Sequence, residues 1–252
     1  MLSGYMPNQM LKRIVDILGS FVGLIASAPL LLPVMYLVWR QDRHSPFYVA
    51  PRMGMNESEF KMVKLRSMIV NADASGVDST GSADSRITPV GYFIRRYKLD
   101  ELTQLWNVLI GDMSLVGPRP NVKRETDLYT SEEKKLLTVR PGITDFASIV
   151  FSDEGDILKD KADPDIAYNQ LIRPWKSRLG LMYVEASDLS LDLQLIVLTI
   201  VAIIDRPRAL RGVNKLLVKQ SAPKDLVAVA LRNTDLSPAP PPGSGKVVTS
   251  RS

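Results

Sequence analysis

Two adjacent carboxylates, Asp100 and Glu101, stand near the start of the segment KLDELTQLWNVLIGDMSLVGPRP, which runs from Lys98 to Pro120. Acidic residues in the first turn of a helix are favoured by the helix dipole by about 0.3–1 kcal/mol, so a purely structural role is one interpretation. The other interpretation is chemical, because neighbouring carboxylates can act as a nucleophile and a metal ligand. The residues around the pair bear on this choice.

Basic residues surround the pair on both sides in the sequence. They are Arg95, Arg96 and Lys98 before it, and Arg119, Lys123, Arg124 and Arg140 after it. Carboxylates among so many cations are expected to have depressed pKa values and to stay ionised, which suits a nucleophile or a Mg²⁺ ligand but not a proton donor. Arginine side chains bind phosphate oxygens and neutralise charge that develops at phosphorus. The pattern therefore indicates phosphoryl transfer by an aspartate nucleophile.

The composition narrows the chemistry further. The 252 residues include no cysteine, which excludes disulfides, thiolate metal sites and cysteine nucleophiles. The single histidine, His44, excludes a histidine-rich metal site and argues against a Ser-His-Asp triad. A net charge of +5 and a pI near 9.3 indicate a polyanionic partner, such as nucleic acid, an anionic membrane surface or a phosphorylated substrate.

An apolar segment from Ile14 to Trp39 carries one charged residue, Asp16. As a helix it is long enough for a hydrocarbon core of about 30 Å. A signal peptide fits poorly, because the apolar run is too long and no cleavage site is followed by a polar mature sequence. A single-pass anchor is the simplest alternative on hydropathy alone.

Two details favour a re-entrant hairpin over a straight span. Pro29 and Pro33 lie in the middle of the segment, where a proline removes a backbone hydrogen bond and clashes with the preceding turn. The segment also has basic residues at both ends, whereas the positive-inside rule expects a bias: Lys12 and Arg13 precede it, and Arg40, Arg43 and Arg52 follow it. We therefore predict a helix that breaks near Pro29 and returns to the same face, with a group such as the Ser27 hydroxyl satisfying the freed backbone.

The rest of the chain predicts an α+β, mostly helical, small cytosolic domain. The segments FYVA and FKMVKLRSM are strand candidates around a GMNE turn, and residues 71–86 predict a polar surface loop. A leucine-rich stripe at helical spacing predicts a helix that ends at Gly111. Residues 189–204 predict an interfacial or core helix.

These elements divide the chain into four predicted parts. Residues 1–43 form the re-entrant membrane helix with its flanks, and residues 44–205 form the catalytic domain. Residues 206–235 are assigned to a C-terminal amphipathic helix. The Pro-, Gly- and Ser-rich residues 236–252 predict a disordered tail.

Several separate motifs, in the same order, resemble those of the bacterial sugar transferases, the monotopic polyprenol-phosphate phosphoglycosyl transferases. They are FKMVKLRSM, ADSRITPVGYFIRR, LDELTQLWNVLIGDMSLVGPRP and VRPGIT. The resemblance extends from about Lys12 to about Asp205. It implies transfer of a sugar-1-phosphate from a UDP-sugar to undecaprenyl phosphate, with Mg²⁺ as cofactor and UMP as product. This reaction starts a surface glycan such as O-antigen, capsule, exopolysaccharide or the glycan of a glycoprotein.

The resemblance also implies roles for individual residues. Asp100 matches the nucleophile that forms an aspartyl phospho-sugar intermediate, and Glu101, with Asp100, matches the Mg²⁺ site. Arg95, Arg119, Arg140 and Lys64 fall in the matching motifs and are assigned to substrate or phosphate binding. Pro29 matches the break of the family's re-entrant helix. The expected location is the cytoplasmic face of the bacterial inner membrane, in contact with membrane lipids.

The chain departs from the family pattern at two places. Ala28 stands where the family commonly has a serine before the breaking proline, so the hydroxyl is displaced to Ser27. Asp145 and Phe146 follow RPGIT in place of a frequent Gly-Trp pair, which hints at altered contacts to the sugar or nucleotide. No stretch identifies the donor sugar.

Two rival functions stay open at this point. One is a non-catalytic membrane-bound interaction protein that uses its basic face to bind anionic lipids. The other is a Mg²⁺-dependent phosphohydrolase that uses the same acid pair. Under the transferase interpretation no nucleic-acid partner is expected, and a homodimer is compatible with the sequence.

Overall fold

The computed structural model describes residues 5–72 and 84–250, with side chains described from Gln9 onward. Residues 73–83 of the predicted polar loop lie outside this part of the chain. The strands are β1 (Phe47–Met53), β2 (Glu59–Leu65), β3 (Ser114–Val116) and β4 (Gly142–Thr144). The α-helices are α1 (Tyr5–Asp42), α2 (Pro89–Arg96), α3 (Leu99–Leu102), α4 (Leu105–Ile110), α5 (Lys123–Thr126), α6 (Phe146–Val150), α7 (Glu154–Ile157), α8 (Pro164–Ala167), α9 (Arg173–Ala186), α10 (Leu189–Ile204), α11 (Arg206–Lys219) and α12 (Lys224–Ala230).

The apolar N-terminal segment forms one uninterrupted helix, α1, which contains both Pro29 and Pro33. The predicted break near Pro29 is therefore not observed. A proline removes only one hydrogen bond, and its fixed φ is itself helical, so the helix can continue where neighbouring contacts hold it. The Ser27 hydroxyl donates to the carbonyl of Leu24 at 3.2 Å, not to the carbonyl that Pro29 leaves free. By length and composition, Gln9–Asp42 could cross a membrane.

Polar side chains join the N-terminal half of α1 to the globular part. Lys12 Nζ donates to Asp192 Oδ2 at 2.5 Å, and Arg13 donates to the carbonyl oxygens of Val108 and Leu109, which end α4. Asp16, only 3% exposed, accepts hydrogen bonds from the Ser114 hydroxyl at 3.0 Å and from the Leu115 amide at 2.9 Å. The one charge inside the apolar segment is therefore a docking group for β3.

The C-terminal half of α1 packs on the same globular part through apolar contacts. Leu31, Val34 and Val38 are buried against Leu65 of β2, Ile94 of α2 and Leu99 of α3. The opposite face of α1 is exposed and apolar. It includes Leu18, Phe21, Val22, Ile25, Leu32 and Tyr36. The helix thus has one face on the domain and one face that only a nonpolar environment would cover.

Two small sheets carry the loops next to the acid pair. In the antiparallel hairpin of β1 and β2, Phe47 lies opposite Leu65 and Met53 lies opposite Glu59. In the parallel pair of β3 and β4, Ser114 lies opposite Gly142. The predicted strands are confirmed. The predicted leucine-rich helix is present as α3 and α4, and Gly111 ends it with a φ of 103°.

The main core lies among α6 and α9–α12, so the predicted boundary at residue 205 does not separate two structural units. Val213 and Leu217 of α11 and Leu226 of α12 are buried in the same cluster as Phe146 and Tyr183. Residues 206–235 contain two helices, α11 and α12, instead of the single predicted one. A buried apolar stripe on each helix explains their docking.

The predicted disorder of residues 236–252 is not observed up to Ser250. Ala239 is buried, and its amide donates to the carbonyl of Gln170 at 3.0 Å. Arg178 donates to the carbonyl of Pro240 at 2.9 Å, and Thr130 to that of Pro242 at 2.6 Å. Proline-rich chain in an extended conformation has no internal hydrogen bonds, so its carbonyls are free to accept from side chains. Composition alone does not reveal such partners.

Candidate active site

Asp100 and Glu101 lie in α3, a single helical turn, and both side chains are half-buried. Lys98, directly before this turn, adopts a left-handed conformation with φ 55° and ψ 29°. A left-handed conformation costs a non-glycine residue on the order of 1 kcal/mol. It turns the chain sharply between α2 and α3, and this turn sets the direction of the acid pair.

Two side chains of the α3–α4 segment fix the acid pair against β2. The Thr103 hydroxyl donates to the carbonyl of Val63 at 3.2 Å. Asn107 accepts from the Val63 amide at 2.9 Å and donates to the carbonyl of Lys61 at 2.8 Å. Lys64, the next residue of β2, consequently lies close enough to Asp100 for their charges to interact. The prediction that Lys64 belongs to the site agrees with this placement.

Arg119 reaches the pair from the GPRP turn. Its guanidinium contacts Glu101 Oε1 at 2.9 Å. The turn is held by a close backbone approach, in which the Gly142 amide donates to the carbonyl of Pro118 at 2.9 Å. A Cβ at Gly142 would lie 2.0 Å from the backbone nitrogen of Gly117, so only glycine allows the GPRP and RPGIT segments to pack this closely.

The two acids differ in their pKa values, contrary to the expectation that both are depressed. Burial raises the pKa of Asp100 above its usual range, and the neighbouring Glu101 charge adds to this, against the opposing effects of Lys64 and Arg119. For Glu101 the effect of burial is more than offset by the charges of Arg119, Lys98 and Lys64, so its pKa is lowered. The Asp100 side chain has no hydrogen bond or ion pair among the described residues. Asp100 is the acid left free for chemistry, and Glu101 is the acid held ionised.

Burial, and then the Arg119 charge, lower the pKa of Lys64 to about 8. Because this pKa is lowered, the ammonium loses its proton as the pH rises through about 8. If the ammonium binds phosphate, the KM for a phosphorylated substrate is expected to rise above that pH. A Lys64→Arg variant, whose side chain stays charged, is expected to keep a flat KM from pH 7 to 9.5. The same pH dependence in both proteins would contradict a charged role for Lys64.

Two of the predicted phosphate-binding residues, Arg95 and Arg140, make no contact with Asp100 or Glu101 within the described part of the chain. Arg95 lies in the last turn of α2, where its charge acts on Asp84. Arg140 is exposed and donates to the carbonyl of Gly111 at 3.1 Å. Arg95 is near the acids in the sequence, and Arg140 was assigned because it falls in a matching motif. In the structure, neither position places the side chain against the acids.

Sequence reasoning named Lys98 among the cations beside the acids but missed other groups around them. Lys98 acts on both acids and on Glu154, which pairs with Lys176. Gln104 is fully buried, and its Nε2 and Oε1 have no hydrogen-bond partner among the described residues. It lies one turn after Asp100 on the same helical face. The i+4 spacing of Gln104 from Asp100 could have predicted its position from the sequence. No local sequence pattern predicts that Glu154 or Lys176 lies near the acids.

The carboxylates at the site decide whether a Mg²⁺ ion would fit there. The described residues contain no group of three or more His, Cys, Asp or Glu side chains that could hold a metal ion. Proteins commonly bind Mg²⁺ through one or two carboxylates, with substrate phosphates and water as the other ligands. The unpaired Asp100 beside the ionised Glu101 fits this second arrangement.

The sequence is similar to a known protein family and to several curated proteins. The model of the bacterial sugar transferase family matches residues 7–206. UDP-N-acetylgalactosamine-undecaprenyl-phosphate N-acetylgalactosaminephosphotransferase of Aeromonas hydrophila is 32% identical over 170 residues, which are 66% of this chain and 40% of the relative. UDP-glucose:undecaprenyl-phosphate glucose-1-phosphate transferase of Klebsiella pneumoniae is 34% identical over 197 residues, which are 77% of this chain and 40% of the relative.

A shorter relative is similar over more of its own length. The exopolysaccharide production protein ExoY of Sinorhizobium fredii is 41% identical over 148 residues, which are 53% of this chain and 66% of the relative. The chain thus spans less than half of the two relatives described first and about two thirds of this one. Because the family match includes α1, the acid pair, the GPRP turn and the RPGIT segment, the chain belongs to the bacterial sugar transferase family.

Proposed function

We propose that this protein transfers a sugar-1-phosphate from a UDP-sugar to undecaprenyl phosphate and releases UMP, as the first step of surface-glycan assembly. The observation that carries the proposal is the unpaired, half-buried Asp100 beside Glu101, Arg119 and Lys64. The names of relatives from Aeromonas hydrophila and Klebsiella pneumoniae, which act on undecaprenyl phosphate, support the same class of reaction.

The proposed reaction has two displacement steps. A carboxylate oxygen of Asp100 attacks the sugar-bearing phosphorus, and the bond from this phosphorus to the UMP oxygen breaks, so that UMP leaves with the electron pair. A phosphate oxygen of undecaprenyl phosphate then attacks the same phosphorus, and the aspartyl–phosphorus bond breaks to regenerate the carboxylate. Each displacement therefore forms one P–O bond and breaks one.

The surrounding side chains have distinct roles in these steps. Arg119 binds phosphate oxygens and stabilises the charge that develops in the transition state, and Lys64 adds a second cation on the β2 side. Glu101 orients Arg119 through their ion pair. Asp100 and Glu101 would hold Mg²⁺, which when bound supplies charge neutralisation for the diphosphate and for UMP.

For the membrane, we propose a monotopic arrangement in which α1 stays helical throughout, curves at Pro29 without a break, and keeps both of its ends on the cytoplasmic side. Lys12, Arg13 and Asp16 at one end and Val38 at the other contact the same globular part. A straight span would separate the ends by a hydrocarbon core of about 30 Å. The exposed apolar residues of α10, Leu193, Val197, Ile200, Ile203 and Ile204, extend the lipid-facing surface.

The absence of cysteine in the sequence makes this topology easy to test. Gln9→Cys and Gln41→Cys place single thiols at exposed positions near the two ends of α1. Neither variant is expected to react with a membrane-impermeant maleimide in intact spheroplasts, and both are expected to react in inside-out vesicles. Labelling of one variant only in spheroplasts would contradict the monotopic arrangement.

The function itself is tested by a UMP-release assay with purified full-length protein, Mg²⁺ and a panel of UDP-sugars, with and without undecaprenyl phosphate. The transferase is expected to release UMP over many turnovers and to form a lipid-linked sugar only with the acceptor, whereas without acceptor it is expected to release at most one UMP per protein molecule. Free sugar phosphate without acceptor would favour the phosphohydrolase. Liposome binding without UMP release from any donor would favour the non-catalytic lipid-binding protein.

A further inference from the structure

Arg119, which contacts Glu101, also lines a cavity of about 40 Å³ between the GPRP turn and α9. The walls come from the chain after the GPRP turn, from the start of α6 and from α9. The polar lining residues include Arg119, Asp145, Ser148, Arg173, Lys176 and Ser177. A cavity of this size holds only a few water molecules and is partly open, so it fits one edge of a larger ligand.

Asp145 places a half-satisfied carboxylate in this cavity. The residue is 1% exposed and precedes α6 as its N-cap. Its Oδ1 accepts from the Ser148 amide at 2.7 Å and from the Ser148 hydroxyl at 2.8 Å. Its Oδ2 has no hydrogen bond within the described residues. Because the cap uses only one carboxylate oxygen, the second oxygen is available to accept a hydrogen bond from a ligand in the cavity.

Two cations face this carboxylate. The charges of Lys176 and Arg119 both act on Asp145, and they oppose the effect of burial, which raises its pKa. Lys176 pairs with Glu154 and lies 5.5 Å from the centre of the Tyr168 ring, another part of the cavity wall. A carboxylate acceptor beside an ammonium donor matches neighbouring sugar hydroxyls, each of which can donate one hydrogen bond and accept others.

The paired acceptor and donor in the cavity favour the sugar over the nucleotide as its occupant. Arg119 contacts Glu101, the neighbour of the nucleophile, and also lines the cavity. A phosphate bound by Arg119 therefore has one of its substituents next to the cavity. The hydroxyl-rich sugar is the substituent that matches the carboxylate of Asp145 and the ammonium of Lys176.

We propose that this cavity binds the hydroxyl-bearing edge of the donor's hexose, with Asp145 Oδ2 as hydrogen-bond acceptor and Lys176 as donor. Asp145 and Lys176 are then specificity-determining residues of this chain. The proposal rests on the proposed function, and it names the part of the substrate that these residues contact.

The test compares Asp145→Asn with wild type in full-length purified protein. Asparagine keeps the volume and the capping oxygen and removes the charge of the carboxylate. Calorimetry on proteins that also carry Asp100→Asn, so that the donor is not consumed, is expected to give a tenfold or larger increase in the Kd of the preferred UDP-sugar and an unchanged Kd of UMP. The kcat/KM ratio between donors that differ at one hydroxyl is expected to fall towards one.

Asp188→Asn is the matched control, because Asp188 caps α10 through the Leu191 amide at 2.7 Å and does not line the cavity. Its Kd values are expected to equal those of wild type. Equal weakening of UMP and UDP-sugar by Asp145→Asn would assign the cavity to the nucleotide and overturn the proposal. An unchanged Kd of the UDP-sugar would mean that Asp145 serves only as the N-cap of α6, and it would also overturn the proposal. Failure of the proposed function is a separate result, since wild type would then release no UMP.

Discussion

Asp100→Asn is expected to lower the rate of UMP release by about 10³-fold or more, to the background of the assay. The amide has nearly the same shape as the carboxylate but is not a nucleophile at phosphorus, so the covalent intermediate cannot form. The Asp100 side chain has no hydrogen bond or ion pair among the described residues, so the substitution leaves the nearby contacts of Glu101 and Arg119 in place. Thermal stability is expected to stay the same or to rise, because burial disfavours the charged form of this acid.

Mass spectrometry provides a second measurement for the same variant. Wild type mixed with UDP-sugar and Mg²⁺ in the absence of acceptor is expected to gain the mass of a sugar phosphate on the peptide that contains Asp100. Asp127→Asn is a suitable control, since Asp127 is an exposed acid that pairs with Lys123 on the surface. Near-normal turnover of Asp100→Asn, or a label on another peptide, would disprove the nucleophile assignment.

Arg119→Met is expected to reduce kcat/KM for the UDP-sugar by about 10²–10³-fold, in line with the loss of a preorganised donor to a developing charge. Methionine keeps much of the apolar length of the side chain but leaves Glu101 without its ion-pair partner. Arg119→Lys keeps the charge and loses the planar fork, so its activity is expected to lie between that of wild type and Arg119→Met.

The same variant has a predictable pH dependence of stability. The folded pKa of Glu101 is lowered, so its stabilising contribution is present above its ordinary value of 4.5 and is lost as the pH falls through the folded value. In Arg119→Met this contribution disappears, and we expect a stability loss of about 1–2 kcal/mol at pH 7 for a half-buried pair. Denaturant unfolding at pH 7 and pH 3.5 measures this, and a difference as large at pH 3.5 as at pH 7 would contradict the assignment.

The sequence predicted the parts of the site that are encoded locally. Asp100 and Glu101 share one helical turn, and the apolar periodicity behind them indicated where that turn packs. Lys64 and Arg119 were assigned through resemblance, and both lie with the acids. Arg140 was assigned on the same basis, but the Gly111 carbonyl holds its side chain. Which way a long cationic side chain turns depends on tertiary partners, which a motif does not contain.

The fold was predictable to a similar degree. Strand and helix patterns were sufficient for β1, β2 and the α3–α4 segment, because their periodicity reflects one buried face. The tail was predicted wrongly, since its order comes from single hydrogen bonds to Arg178, Gln170 and Thr130 and not from apolar periodicity. The uninterrupted α1 was missed because the contacts that hold it on both sides of Pro29 come from residues distant in sequence.

The charged side chains of α1 limit how this protein can be shortened. A soluble form that begins after Asp42 would lose more than a tether, because Lys12 is the cation that pairs with the buried Asp192 and donates to Tyr183. The Leu115 amide and the Ser114 hydroxyl would likewise lose Asp16 as their acceptor. Replacement of α1 by an unrelated apolar anchor would restore membrane attachment without restoring these partners. In this chain α1 and the globular part therefore cannot be exchanged as independent modules.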